Sequence, residues 1–342
     1  MAIEFRKEIV PLKLLDPAKN FREQILLEER RVDPLTGHTS IVRPGRYRRM
    51  EKPDLSDLIQ RSLEMGCPFC PPMVGQTTPQ FTPELFPEGR IRIGQVTAFP
   101  NAVPRLQYNA IAVLTRDHFV EPFNLSANMI TNGLLACQAY LERVQEIDPK
   151  ADYCFIIWNH LPPSGATLIH PHLQALASHH GTNYHRRLLD ASLRYYNENG
   201  SNFWSDLITK EKELGERYVG SIGNTAWVTN FVSRAWIFDV SAIFQNGCSI
   251  SELSVDDFDA FSEGLIRVFR YIRDQNLSSF NVNLYLGIKG NECFWTHARI
   301  VPRIALPPFN TADCDVFKLL HDETINLRQP EDVCQELKGY FR

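Results

Sequence analysis

Residues 168–174 read Leu-Ile-His-Pro-His-Leu-Gln and hold the side chains best suited to chemistry in this chain. Alternation along an extended strand places His170, His172 and Gln174 on one face and leaves the apolar residues to face a core. Because desolvating two imidazoles without partners costs free energy, this spacing indicates a bound metal ion or substrate rather than simple packing. We therefore expect a strand over 168–177 that carries a site.

A second cluster is Cys-Pro-Phe-Cys at residues 67–70. Two thiolates at this spacing can hold one tetrahedral ion, and a redox pair is the alternative. The flanking residues 65–66 and 71–72 contain glycine and proline and lack the strand and helix of a thioredoxin-like motif, which favours zinc. A closed structural site needs two further ligands, and the candidates are His118 and one histidine of the pair described above.

The composition is that of a folded protein without a strong overall charge. A length of 342 residues suggests two domains, at roughly 150 residues each. Hydrophobic residues make up 44% and charged residues 22% of the chain, which is typical of globular proteins. A net charge of −4 provides no field that would attract DNA or RNA, so we expect no nucleic-acid partner.

The cysteine pattern and the hydropathy indicate the compartment. Eight cysteines are scattered along a long chain, which favours reduced thiols over a secreted disulfide framework. The first residues lack a secretory leader, and no later stretch reaches about 18 consecutive apolar residues. We therefore predict a cytoplasmic protein with no membrane partner.

The order of apolar patterns indicates an internal repeat. Each half shows two extended patterns, one helical pattern and two further extended patterns, at 91–99, 108–114, 129–144, 153–158 and 168–177, and again at 226–231, 235–242, 254–272, 280–286 and 293–300. Ser254 with Asp257 three residues later predicts the start of the second helix. The predicted fold class is α+β, with two tandem halves that each pack helices on an antiparallel sheet.

This repeat predicts the domain organisation. We place the first half at residues 1–180, a connecting segment at 181–220 and the second half at 221–342. The connecting segment is polar, charged and aromatic. The first 60 residues are basic and poor in regular pattern, so we expect them to wrap around the rest as an irregular segment.

Several separated motifs resemble those of the galactose-1-phosphate uridylyltransferases, a branch of the histidine triad superfamily. The family's His-Pro-His-Gly-Gln strand is similar to residues 170–174, and its Cys-Pro-Phe-Cys stands unchanged at 67–70. Further similar segments are Arg-Val-Asp-Pro-Leu-Thr-Gly at 31–37, Pro-Gly-Arg-Tyr-Arg-Arg at 44–49, Pro-Asn-Ala-Val-Pro at 100–104 and Thr-Arg-Asp-His at 115–118. The resemblance covers most of residues 28–178 in order. It implies the two-half histidine-triad-like fold.

The resemblance also implies the roles of the main site residues. Cys67, Cys70, His118 and His170 would bind a structural Zn²⁺, and His172 would be the nucleophile. His172 would attack the α-phosphate of a nucleotide sugar and form a covalent nucleotidyl-histidine, which a sugar 1-phosphate then takes up with ping-pong kinetics. The substrates implied are UDP-glucose and a hexose 1-phosphate. Because family members commonly form dimers, a homodimer is also expected.

The remaining implied site residues contact the nucleotide. Gln174 is expected to donate its amide to a phosphoryl oxygen without supplying the acid–base function of the third histidine in hydrolytic relatives. Arginine matches phosphate oxygens bidentately, which suits Arg46 and Arg49 as phosphate clamps. The other implied contacts are Asn101 in a turn against the nucleoside, and Asn159 and Thr167, which bracket a loop over the α-phosphate.

Some positions depart from the family pattern. Leu173 stands where the family has glycine, and its side chain is expected to face the core. Arg299 replaces one histidine of the family's second metal site, which puts a second metal in doubt. Leu319 and Ile325 align with the sugar-binding glutamate and glutamine, and an apolar residue cannot replace a polar partner of a sugar hydroxyl. Two alternatives therefore stay open, namely a phosphorylase that uses inorganic phosphate as acceptor and a nucleotide-binding zinc protein without catalysis.

Overall fold

A computed structural model describes residues 3–45, 47–245 and 247–342. The helices of four or more residues are α1 (Ser56–Glu64), α2 (Met73–Gln76), α3 (Ala127–Ile147), α4 (Asn183–Asn199), α5 (Phe203–Leu214), α6 (Val255–Asp274), α7 (Val316–Leu320) and α8 (Pro330–Lys338). The strands are β1 (Arg6–Asp16), β2 (Arg22–Val32), β3 (Thr39–Val42), β4 (Ile91–Ile93), β5 (Val96–Pro100), β6 (Tyr108–Val113), β7 (Tyr153–His160), β8 (His172–Ser178), β9 (Tyr218–Ile222), β10 (Thr225–Thr229), β11 (Val240–Phe244), β12 (Ser279–Tyr285), β13 (His297–Arg303), β14 (Ala305–Leu306), β15 (Thr311–Ala312) and β16 (Thr324–Asn326).

The main sheet has ten strands in the order β4-β5-β6-β8-β7-β12-β13-β11-β10-β9. Every neighbouring pair in it is antiparallel. The first five strands belong to the first half of the chain, and the last five repeat the same order outward from the β7–β12 junction. This order confirms the predicted α+β class with two tandem halves, while the residue boundaries 1–180, 181–220 and 221–342 remain our proposal.

Two long helices cover one face of the sheet. Ser126 caps α3 by accepting from the backbone N–H of Met129, and Ser254 with Asp257 forms a reciprocal capping box at α6. The helix start predicted at Ser254 is thus confirmed. The apolar faces of both helices pack on alternate residues of the strands and form one continuous core. Burial of these apolar faces holds the sheet in place.

The opposite face differs between the halves. In the second half α4 and α5 of the connecting segment pack against it, with Phe203 and Trp204 of α5 buried against β10. In the first half the same face carries His172 and Gln174, whereas Leu173 between them is 3% exposed and packs into the helix-covered core. The predicted orientation of Leu173 is confirmed. The fold therefore leaves the first half's polar face to the segments around residues 67–118.

The chain termini form a second sheet with the order β1-β2-β3-β16, in which β16 runs parallel to β3. The expectation of an irregular segment over the first 60 residues is wrong, because β1 and β2 form an antiparallel hairpin of two 11-residue strands. Much of this hairpin is exposed on both faces, so its sequence lacks the alternation of a half-buried strand. No helix of the described residues is both long and apolar enough to cross a bilayer.

Candidate functional site

Four predicted ligands come together beside the start of β8. Cys67 and Cys70 lie in the turn after α1, His118 follows β6, and His170 precedes β8. Their ligand atoms all lie within 4.8 Å of one another. The predicted strand over 168–177 begins later than expected, at His172, so His170 approaches the cysteines from the segment before the strand.

The separations match a tetrahedral metal site. The Cys70 sulfur lies 3.3 Å from His118 Nδ1 and 3.6 Å from His170 Nδ1, and the Cys67 sulfur lies 3.7 Å from His170 Nδ1. Tetrahedral zinc, with Zn–S near 2.3 Å and Zn–N near 2.0 Å, requires sulfur and nitrogen ligands to be separated by about 3.5 Å. The donor set and its spacing therefore fit Zn²⁺.

The outer nitrogen of each histidine has a partner of its own. His170 Nε2 lies 2.9 Å from the carbonyl oxygen of Thr115, and His118 Nε2 lies 3.1 Å from the hydroxyl of Ser62. Since a carbonyl can only accept, His170 carries its proton on Nε2 and leaves the Nδ1 lone pair toward the cysteines. Such outer contacts fix the ring orientation and the tautomer that a metal ligand needs.

Burial favours the neutral form of these groups. It raises the pKa of Cys70 to about 11, with a further contribution from the adjacent Cys67. It lowers the pKa of His170 to about 4, partly opposed by the hydrogen bond to Thr115, and it also lowers the pKa of His118. A bound cation would reverse this preference for the thiols, because metal binding releases their protons.

The His172 ring is held in one tautomer by a contact with the main chain. Its Nδ1 lies 2.8 Å from the carbonyl oxygen of His170, so Nδ1–H is the donor and Nε2 keeps a free lone pair. The residue is 7% exposed, and the Phe69 ring meets the imidazole edge-on at 5.2 Å. Burial lowers the pKa of His172 and so favours the neutral ring, while the hydrogen bond to the His170 carbonyl opposes this shift in part.

Gln174 lies two residues after His172 and therefore on the same face of β8. Its Oε1 accepts from Asn101 Nδ2 at 3.5 Å, and Asn101 also donates to Asn109 Oδ1 at 2.9 Å. The structure thus brings Asn101 and Gln174 together. Because its oxygen faces Asn101, the Gln174 amide nitrogen is available to a further acceptor.

A cleft lies beside this face. Its lining includes Phe69 and Val113, and Val113 pairs with His172 across β6 and β8. Two arginines, Arg92 and Arg116, also line it. Sequence reasoning missed both arginines, because an isolated arginine on an edge strand or in a loop has no distinguishing pattern.

Asn159 and Thr167 bracket the loop between β7 and β8, as predicted. Asn159 is half-buried near the end of β7, and Thr167 is exposed in the loop. The last paired residues of the two strands are Ile157 and Gln174. Asn159 and His172 each lie two residues beyond that pair, so alternation places them on the same face of neighbouring strands.

The structure describes one of the two predicted phosphate clamps, Arg49. Arg46 falls outside the described residues. Arg49 donates to the backbone carbonyl of Asp274 at the end of α6, and α6 covers the opposite face of the sheet. No contact within the described residues joins Arg49 to His172 or Gln174, so we leave it out of the proposed site.

The second half holds a histidine in the corresponding place. His297 opens β13 as His172 opens β8, and its Nδ1 contacts the carbonyl of the residue two positions earlier, Trp295, at 3.0 Å. The Trp204 ring stacks on His297 at 3.9 Å. Arg299 pairs with the fully buried Asp239 and donates to the Tyr184 hydroxyl. The connecting segment therefore packs on His297 through Trp204, and His297 and Arg299 also line a pocket there. His172 instead contacts Phe69.

A comparison of sequences finds an uncharacterized protein of Archaeoglobus fulgidus that is 31% identical over 339 residues, which is 98% of this chain and 98% of the relative. The chain belongs to the same family as this archaeal protein. No model in a collection of protein families matches the chain.

Several solved structures share the fold of this chain. A GalT-like protein from Arabidopsis thaliana matches with a TM-score of 0.70 at 16% identity over 90% of this chain and 98% of its own. An ADP-glucose phosphorylase from Arabidopsis thaliana with bound ADP-glucose matches with a TM-score of 0.70 at 16% identity over 91% and 98%. A uridylyltransferase matches with a TM-score of 0.67 at 20% identity over 92% and 98%. The predicted resemblance is confirmed for the fold.

Proposed function

We propose that this protein is a nucleotidyltransferase that works through a covalent nucleotidyl-His172. The observation that carries the proposal is the hydrogen bond from His172 Nδ1 to the His170 carbonyl, which leaves the lone pair of Nε2 free. The ring lies beside Phe69 and Val113, and both of these residues line a cleft. A single imidazole held in this tautomer serves nucleophilic catalysis at phosphorus. The shared fold with a uridylyltransferase and an ADP-glucose phosphorylase supports the same reaction class.

The reaction has two half-reactions. The lone pair of His172 Nε2 attacks the α-phosphorus of a nucleoside diphosphate sugar, and the bond from phosphorus to the bridging oxygen breaks. The sugar 1-phosphate leaves with that electron pair, and the nucleoside monophosphate stays on His172. An oxygen of the acceptor phosphate then attacks the same phosphorus, the P–N bond breaks, and neutral His172 is restored. The two displacements predict ping-pong kinetics.

The surrounding residues would stabilise the charge that develops on the phosphoryl oxygens. The Gln174 amide nitrogen and the Asn159 amide are donors on the same face of the sheet, and Asn101 contacts Gln174. We propose the Thr167 hydroxyl, in the loop before β8, as a third donor. The nucleoside would lie in the neighbouring cleft between apolar residues such as Phe69 and Val113. Donors held in place before the reaction need no reorganisation in the transition state.

Zn²⁺ is the metal we propose for Cys67, Cys70, His118 and His170. With all four positions filled by protein, the ion has no open position and would serve structure. It would fix the segment before β8, and through the His170 carbonyl it would fix the ring of His172. This is the support that a precisely placed nucleophile needs from its surroundings.

The acceptor distinguishes two versions of the activity. The first is a UDP-glucose–hexose-1-phosphate uridylyltransferase, and the second is a phosphorylase with inorganic phosphate as acceptor. Leu319 favours the second, because it stands where the resemblance expects a sugar-binding carboxylate and is 72% exposed on α7. We also propose a cytoplasmic location and a homodimer, in line with the sequence.

Intact-protein mass spectrometry tests the proposal. The protein is incubated separately with UDP-glucose and ADP-glucose, and a gain of one UMP or one AMP identifies the donor. The adduct is then chased with galactose 1-phosphate, glucose 1-phosphate or inorganic phosphate to identify the acceptor. His172→Asn should give no adduct while keeping its zinc, and exposed His321→Asn is the matched control. Absence of any adduct with either donor would overturn the enzyme proposal in favour of a nucleotide-binding protein.

A further inference from the structure

Asn281 of the second half contacts the proposed site of the first half. It lies on β12 directly opposite Asn159 of β7, at the junction of the two halves. Asn281 Nδ2 lies 2.7 Å from Asn159 Oδ1 and 3.0 Å from the carbonyl oxygen of Ser164, which belongs to the loop before β8. One amide therefore contacts both Asn159 and the loop that is expected to cover the α-phosphate.

The chemistry of the partners fixes how these amides are turned. Arg303 Nη1 lies 2.8 Å from Asn281, and a guanidinium can only donate, so the Asn281 atom that faces it is Oδ1. Nδ2 of Asn281 must then face the Ser164 carbonyl and Asn159. Because that Nδ2 is a donor, the Asn159 atom in contact with it is Oδ1, and the Asn159 NH₂ group points away.

A buried carboxylate anchors this series of contacts. Asp313 is 3% exposed and accepts from Arg303 Nη2 at 2.7 Å and from Arg303 Nε at 3.0 Å. The backbone N–H of Ile304 donates to the same carboxylate at 3.2 Å. Bidentate pairing leaves the guanidinium little freedom to turn. The orientation of Asn281 is therefore set by groups of the second half alone.

The NH₂ group of Asn159 is the free end of the series. Among the described residues no acceptor contacts it. It is also not one of the fully buried polar atoms that lack a partner there. Asn159 shares a face with His172 on the neighbouring strand, as derived above from the β7–β8 register. The Asn159 amide is therefore a donor available beside the proposed nucleophile.

We infer that Asn281 is a positioning residue, through which the second half turns the Asn159 amide so that its N–H donates to the phosphoryl group transferred to His172. This inference rests on the proposed function. It gives the second half a part in catalysis, since that half would orient a donor of the first half's site. Asn281 itself would not touch the substrate.

Asn281→Asp is the sharpest test, because it keeps the shape and replaces the only donor of the side chain by an acceptor. One oxygen of the new carboxylate would keep Arg303, while the other would draw the Asn159 NH₂ toward itself and turn the Asn159 oxygen to the phosphate. We expect the rate of adduct formation to fall by about 10- to 100-fold, the worth of one hydrogen bond to a charged group. The effect should fall on kcat rather than on KM.

Two controls separate positioning from a general disturbance of the sheet. Asn283→Asp introduces the same charge two residues along β12, and its rate should stay within about twofold of wild type. A double-mutant cycle with Asn159→Ala tests the route, because Asn281→Asp should add little once the Asn159 amide is gone. If Asn281→Asp does not fold, Asn281→Ser, which also removes the donor, replaces it in the cycle.

The outcomes are distinguishable. A wild-type rate of adduct formation in Asn281→Asp would overturn the positioning role. So would a loss of rate from Asn281→Asp that is as large in the Asn159→Ala background as in wild type, because it would point to the Ser164 contact instead. Absence of an adduct in the wild-type protein would overturn the proposed function itself, and the positioning role with it. A selective loss that depends on Asn159 supports both.

Discussion

The backbone carbonyl of His170 accepts from Nδ1 of His172 at 2.8 Å, while the His170 ring presents its own Nδ1 to Cys67 and Cys70. One residue therefore belongs to the cysteine cluster through its side chain and to the proposed nucleophile through its main chain. A change in the metal site is expected to reach His172 through this single peptide unit.

Cysteine replacement is expected to remove the metal. The wild-type protein should hold about one zinc ion per chain, and Cys67→Ser with Cys70→Ser should hold none and unfold at lower temperature, because a structural metal contributes directly to folding. Elemental analysis and thermal unfolding give the two readouts. Cys314→Ser is the matched control, since Cys314 is free and exposed. Zinc retained by the double serine variant would contradict the ligand assignment.

Leu173 is expected to serve stability and not chemistry. Leu173→Ala removes a side chain that is 3% exposed in the core beneath α3, so the free energy of unfolding should fall by about 2–5 kcal/mol. Denaturant unfolding measures this loss. Zinc content and adduct formation below the unfolding transition should stay near wild type, because the neighbouring residues on the site face are untouched. A selective loss of adduct in folded protein would argue against this separation.

The second half should be sensitive to acid through His297. Burial, opposed by the Trp295 hydrogen bond and aided by the charge of Arg299, lowers the pKa of His297 to about 3, whereas in the unfolded chain it lies near 6.5. The unfolded state therefore binds the proton first as pH falls. This contribution to stability is complete above pH 6.5 and is lost toward pH 3, with a slope approaching about 1.4 kcal/mol per pH unit.

His297→Gln tests this dependence. Denaturant unfolding of wild type and variant at pH 7, 6 and 5 should show a smaller decline in the variant, because glutamine does not titrate. His180→Gln, at an exposed histidine of the loop after β8, controls for the loss of a histidine as such. Parallel pH curves for wild type and His297→Gln would show that this ring does not drive the acid sensitivity.

The pair of Arg299 and Asp239 should be essential for folding of the second half. Asp239→Asn leaves a guanidinium that is 10% exposed without its counter-ion, which is expected to cost about 3–5 kcal/mol. The exposed pair of Arg61 and Asp57 offers the control, and Asp57→Asn should change stability by less than about 1 kcal/mol. Equal effects of the two substitutions on the unfolding free energy would contradict the role of burial.

Local features of the chain were predictable because they depend on neighbours in sequence. The capping pair of Ser254 and Asp257 marks the start of α6, and the period of the apolar residues predicts α3 and most strands. The spacing of Cys67 and Cys70 indicates one ion, and the motif at 170–174 indicates the nucleophile. The β1–β2 hairpin escaped prediction because it is exposed on both sides and lacks alternation.

The sequence by itself determined the repeated α+β plan, the candidate ligands and the identity of the candidate nucleophile, since residue type and short spacing carry that information. Only the tertiary structure decided which residues meet across the two halves. Asn159 and Asn281 are 122 positions apart, and no local period connects them. The structure also decided that Trp204 stacks on His297 while Phe69 contacts His172, because the path of the chain between the strands sets which ring packs on each histidine.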